Sequence, residues 1–106
     1  MDKTERRRSR RFPLRQPAYL QFLAESNDST TIYGTSENVS KDGVLMRAAT
    51  AVPLGSKAQL ELVLEARTDR NVRLTGNCTV LRVEENIEHG EYTIAVGCDQ
   101  PFTLVE

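Results

Sequence analysis

The sequence predicts an all-β domain: a six-stranded antiparallel β-barrel with an extended basic N-terminal arm before it and no substantial C-terminal helix after it. Three observations predict this. Short segments with alternating apolar residues recur along the chain, turn-forming residues separate them, and no window carries a 3.6-residue apolar stripe. Closure is the economical arrangement for such a set, because a closed barrel leaves no sheet edge to protect. At 106 residues the chain is long enough for one core and too short for two.

Residues 1–16 lack apolar periodicity, and Pro13 and Pro17 disfavour helix at Phe12 and Gln16. They read as an arm, with the barrel occupying residues 17–106. The first strand is Ala18–Leu23, where Ala18, Leu20 and Phe22 alternate toward one face. Asn27-Asp28-Ser29 supplies a polar turn. A second strand runs from about Thr31 to Val39, and the turn Ser40–Gly43 leads into a third, Val44–Ala49. After the Pro53-Leu54-Gly55 turn, Leu60–Glu65 sets leucines on one face and glutamates on the other. Thr68–Asn71 closes that strand. The fifth strand runs from Val72 to about Val83, and its inward parity slips between Val72/Leu74 and Leu81/Val83, which predicts a β-bulge near Gly76. Glu88–Glu91 turns the chain into the sixth strand, Tyr92–Cys98. The tail that follows is short and contains Pro101, so a full helix cannot be built there.

Composition narrows the function classes. The hydrophobic fraction of 39% and charged fraction of 27% are those of a soluble globular domain. No apolar run approaches the ~20 residues of a membrane span, and no apolar signal-peptide region follows the basic N-terminus, so a cytoplasmic location is the expectation. In that setting Cys78 and Cys98 are read as buried, reduced thiols. His89 is the single histidine, so neither a metal site nor a Ser–His–Asp set can be assembled, and no enzymatic activity or cofactor is expected.

Charge is distributed unevenly. The first 15 residues carry seven basic side chains against two acidic ones, and the remainder carries seven against thirteen. The positive charge therefore sits on the arm (net +5) while the body is acidic (net −6). A polynucleotide binder usually spreads a basic stripe and aromatic platforms over its folded face. This chain has three Tyr, three Phe and no Trp, which argues against a polynucleotide and for a small anionic ligand.

Two short motifs carry the chemistry. The arm contains Arg6-Arg7-Arg8-Ser9-Arg10-Arg11, rich in guanidinium groups that grip phosphate through a bidentate fork and stack on planar rings. Asn38-Val39-Ser40-Lys41-Asp42-Gly43 closes the second strand. The pleat puts Asn38 and Ser40 on one face and Val39 on the other, so an amide and a hydroxyl can meet the edge of a base. Gly43 permits a positive φ and a close ligand approach. Each motif has an ordinary reading too, as a solvated tail and a plain turn. Arg47, on the third strand, has two readings, as a further pocket residue or as solvated barrel exterior, and the second is favoured.

Taken in order, the motifs resemble the PilZ family of bacterial cyclic di-GMP receptors, whose signature is R-x-x-x-R on an N-terminal arm followed by [D/N]-x-S-x-x-G. Arg7–Arg11, then Phe12-Pro13, then Asn38–Gly43, and finally Ile94-Ala95-Val96-Gly97 match that pattern over roughly residues 5–100. The resemblance implies that Arg7 and Arg11 hold the phosphates and stack on the guanines, that Asn38 and Ser40 contact a guanine edge, and that Gly43 shapes the turn. Arg6 resembles the members that take an intercalated ligand dimer. The implied mechanism is an arm that orders over cyclic di-GMP and signals to a downstream protein partner. The alternative is an interaction adaptor that keeps the barrel and does not bind the nucleotide. Many members end in a C-terminal helix, and the short tail here departs from that pattern.

Overall fold

The structure, a computed structural model, describes residues 12–23, 28–64 and 72–105. These residues form eight strands and no helix: β1 Phe12–Pro13, β2 Pro17–Leu23, β3 Ser29–Ser40, β4 Gly43–Ala48, β5 Lys57–Leu64, β6 Val72–Asn86, β7 Glu91–Cys98 and β8 Thr103–Val105. Six of them close the expected barrel. β2 pairs with β3 and β5, β5 with β6, β6 with β7, β7 with β4, and β4 returns to β3, all antiparallel. β1 extends along β3, and β8 along β6. No helix among the described residues is long and apolar enough to cross a membrane.

Alternation fills the barrel. Ala18, Leu20 and Phe22 of β2, Val44 and Met46 of β4, Leu60 and Leu62 of β5, and Ile94 and Val96 of β7 all point inward and are buried. A fully buried leucine or isoleucine contributes about 1.5–3 kcal/mol. Leu20, Leu60, Leu62 and Ile94 are completely enclosed, so these four positions anchor opposite walls.

The bulge lies elsewhere than the sequence predicts. Gly76 keeps regular register opposite Leu60, and the β6–β7 register shifts between Val80 and Arg82 instead. Leu81 is the extra residue; it turns outward while Val80 on one side and Val83 on the other face the core. The parity slip is real, but Gly76 serves a different need. A Cβ there would stand 2.8 Å from the Phe102 ring, which folds onto β6 with the tail.

The cysteine expectation is also corrected. Cys78 and Cys98 face each other across β6 and β7 and are joined as a disulfide, with Cα atoms 4.3 Å apart. Such an approach is typical of a non-hydrogen-bonded antiparallel pair, at about 4.5 Å. Accordingly, the Cys98 N–H turns away from β6 and donates to the Asp42 carbonyl at 2.7 Å.

Residues 12–16, assigned to the arm from sequence, lie against β3. Phe12 and Pro13 stand opposite Val39 and Asn38. The Leu14 N–H donates to the Glu37 carbonyl at 3.0 Å and the Ser36 N–H to the Gln16 carbonyl at 2.9 Å. The Ser36 hydroxyl, fully buried, donates to the Leu14 carbonyl and accepts from the Gln16 N–H at 3.0 Å. One buried hydroxyl thus stitches the root of the arm to the barrel. It can do so because β3 is bulged between Ser36 and Asn38, which aims the Glu37 carbonyl at the arm rather than at β4.

Candidate functional site

Asn38, Ser40 and Gly43 come together at the β3–β4 turn. Val39 between them is buried and its two polar neighbours are half-buried on the outer face, as the pleat requires. Ser40 stands opposite Gly43, Gly43 opposite Gly97, and Gly97 opposite Thr79. One step away, Asn38 stands opposite Leu45, Leu45 opposite Ala95, and Ala95 opposite Arg82. Two adjacent rows therefore cross β3, β4, β7 and β6 on the outside of the barrel. Of the four middle residues, Gly43, Gly97 and Ala95 are small and Leu45 is large, so the face is lowest along the Gly43–Gly97 row beside Ser40. By strand spacing it is roughly 14 Å across.

The Ser40 hydroxyl is partly spent on the turn, accepting from the Asp42 N–H at 3.3 Å and donating a long bond of 3.5 Å to the Gly43 carbonyl. Among the described residues, no hydrogen bond engages the Asn38 side chain, which leaves its amide available.

Gly43 is required for a different reason than the sequence reading gave. The positive-φ glycines are Gly55 and Gly90, at 84° and 64°, and Gly43 is not among them. A Cβ on Gly43 would instead stand 2.3 Å from the Val96 carbonyl oxygen, a backbone atom of the neighbouring strand. Gly43→Ala would force β4 and β7 apart where Cys98 also bonds Asp42. We expect a loss of about 1–3 kcal/mol in urea unfolding, the usual range for overpacking. An unchanged midpoint would mean that this strand pair yields freely.

Leu81 borders this face and was missed by sequence reasoning. It is 62% exposed, and its side chain lies over Gly97, where a Cβ would stand 2.6 Å from Leu81 Cδ1. It gives the trough an apolar bank opposite Asn38 and Ser40. The sequence reading set Leu81 with Val83 on the inward face; the bulge between Val80 and Arg82 turns Leu81 outward instead.

The cations described near this face are largely neutralised. Arg47 Nε lies 2.5 Å from Glu37 and its Nη1 3.2 Å from Glu91, which agrees with its reading as barrel exterior. Arg82 pairs with Glu84 at 3.1 Å, and Lys41 is exposed at the tip of the turn. The barrel wall thus offers polar edges and an apolar shelf but little unpaired positive charge. Arg6, Arg7 and Arg11 lie outside the described residues. The described chain begins at Phe12, beside Val39 and between the levels of Asn38 and Ser40.

A family model described as the PilZ domain matches residues 5–102. A search of curated proteins finds no match. Among solved structures, the chain is similar to the Bacillus subtilis inhibitor of motility (MotI/DgrA), with a TM-score of 0.69 and 15% identity over 90% of this chain and 43% of that one. It therefore spans less than half the length of that protein, and at this identity the likeness is one of fold. The family model takes in nearly the whole barrel and the turn that carries Asn38, Ser40 and Gly43; the chain belongs to the PilZ domain family.

Proposed function

We propose that this domain is a cytoplasmic cyclic di-GMP receptor that closes its arginine-rich arm over ligand held on the outer face of β3, β4, β7 and β6, and passes the signal to a protein partner. The observation that carries this reading is the position of the arm's root. Phe12 pairs with Val39, so the chain enters the barrel beside the two polar residues of the motif. Arg11 directly precedes Phe12, and Arg7 is at most about 18 Å of extended chain away. Both are within reach of a trough of that width.

The division of labour follows from charge. A cyclic dinucleotide brings two phosphates that the nearly neutral wall cannot hold, so Arg7 and Arg11 supply the charge, and Arg6 adds a further cation for a second ligand molecule. Asn38 offers a donor and an acceptor to a guanine edge, Ser40 a hydroxyl, and Leu81 an apolar surface against which a base can lie. Each charge-assisted Arg–phosphate bond is worth roughly 1.5–3 kcal/mol. Arginine stacked on a desolvated purine adds about 2 kcal/mol, by analogy with cation–π pairs. Ordering the arm costs on the order of 1–2 kcal/mol per residue. The net is consistent with about micromolar affinity. The ligand is bound and not converted.

Calorimetry with cyclic di-GMP, using GTP and cyclic di-AMP as controls, tests the reading. Saturable heat with cyclic di-GMP alone supports it, and its absence at tens of micromolar leaves the adaptor reading in its place. Arg47 separates general electrostatics from the specific pocket. Because two carboxylates hold it, Arg47→Ala should cost at most about 1 kcal/mol of stability and change ligand affinity less than twofold. A larger loss of affinity would place the phosphate site further along β4.

A further inference from the structure

We infer that the Cys78–Cys98 pair is a redox switch on the ligand turn, tightening cyclic di-GMP binding when oxidised. This rests on the receptor reading above. Cys98 is the last residue of β7, and its backbone N–H donates to the Asp42 carbonyl at 2.7 Å, inside the motif turn. Its neighbour Gly97 stands opposite Gly43, the residue that ends the motif. The disulfide ties this strand end to Cys78 in the middle of β6. One covalent bond therefore fixes the strand end against which the turn is built.

Without that bond, Cys98 is a strand-terminal residue followed by the exposed bend Asp99–Gln100, and strand ends fray. The Asp42 carbonyl then loses a firmly placed donor, and Asp42 also supplies the N–H that the Ser40 hydroxyl accepts. Loosening thus passes through two hydrogen bonds, from Cys98 to Asp42 and from Asp42 to Ser40. Gly43 admits no Cβ beside the Val96 carbonyl, so the turn and β7 are packed too closely to move independently.

Cys78 supplies the route for exchange. Cys78 lines a cavity of about 390 Å³ together with Phe22, Lys57, Ala58, Asn77 and Asp99, open at the barrel's end. A low-molecular-weight disulfide of the glutathione class can serve as oxidant. One protein thiolate attacks it and expels a thiolate, forming a mixed disulfide; the second cysteine then attacks the protein sulfur of that intermediate and expels the other small thiolate. The two protein thiols lose two electrons and two protons in forming the Sγ–Sγ bond, and the small disulfide is reduced to two thiols. Disulfides in reducing compartments are characteristically transient and redox-sensing, which suits a cytoplasmic address.

The test compares the same wild-type chain fully oxidised and fully reduced, each state verified by mass after alkylation. Cyclic di-GMP should bind about fivefold more tightly to the oxidised form, the effect of one preorganised hydrogen bond. Cys98→Ser should bind like the reduced form and ignore reductant. In parallel, hydrogen exchange without ligand should show the Cys98 amide losing protection on reduction while the Leu20 amide keeps it. Equal affinity in the two verified states overturns the switch, as does a pair that cannot be oxidised. If neither state binds cyclic di-GMP, the receptor reading fails by itself. Exchange at Cys98 then decides the coupling, and unchanged protection overturns it.

Discussion

Replacing Arg11 by alanine lowers affinity for cyclic di-GMP by about 2–5 kcal/mol, and Arg7→Ala does the same, while urea unfolding of the barrel is unchanged. The magnitude is that of truncating one member of a desolvated charge pair, where much of the loss is the remaining charge left without a partner. It is large here because the described wall offers little substitute: Arg47 is engaged by Glu37 and Glu91 and Arg82 by Glu84, which leaves Lys41, a single ammonium at the tip of the turn that cannot form a bidentate fork. Stability should not move, because the described barrel begins at Phe12 and its core is built from β2 to β7. Calorimetry and denaturation on the same two variants check both halves. Loss of less than about 1 kcal/mol of affinity would show that these guanidinium groups do not hold the phosphates.

The second large effect is expected at a residue that touches no ligand. Ser36→Ala should lower stability by about 2–4 kcal/mol, because it strands two part-buried groups at once, each toward the lower end of about 1–3 kcal/mol. The Gln16 N–H loses its acceptor and the Leu14 carbonyl its donor. The Ser36 N–H still reaches the Gln16 carbonyl, so the root of the arm should loosen without detaching. Hydrogen exchange should report this as lost protection at Gln16, with Leu20 and Ile94 still protected. Cyclic di-GMP affinity should fall as well, since the root sets where the arginines start. Full protection at Gln16 in the variant would show that the hydroxyl does not hold this segment.

The barrel was legible because alternation is a local signal. Leu60-Glu61-Leu62 announces a strand with one buried face whatever its partner, and Ala18-Leu20-Phe22 does the same. The bulge was half legible. A parity change within β6 is visible in sequence, but glycine drew the assignment to Gly76, whose lack of a side chain makes room for Phe102, a contact made by the returning tail. β8 and the β1 segment were invisible for the same reason, since two or three residues show no periodicity and pair only because a longer strand is already in place.

The disulfide depended on the bulge. Counting back from the Ile87–Gly90 turn in unbroken register, Cys98 would face Thr79; the extra residue Leu81 moves it opposite Cys78. A pairing set by a one-residue slip cannot be read from spacing. At the candidate site, Asn38, Ser40 and Gly43 were legible because they are contiguous on a strand and its turn. Their supports were not. Ser36 looks like any strand serine until its hydroxyl is seen buried against Leu14 and Gln16, and Gly43 looks like a turn glycine until Val96 is found beside it.

The most direct measurement is an amide NMR titration of the full chain with cyclic di-GMP. We expect the largest shifts at Asn38, Ser40, Gly43, Leu81 and Gly97, with the amides of Arg7 and Arg11 shifting at the same ligand concentrations. Shifts confined to another face of the barrel, such as the groove at Tyr19 and Tyr33, or an arm that shows no response to saturating ligand, would contradict it.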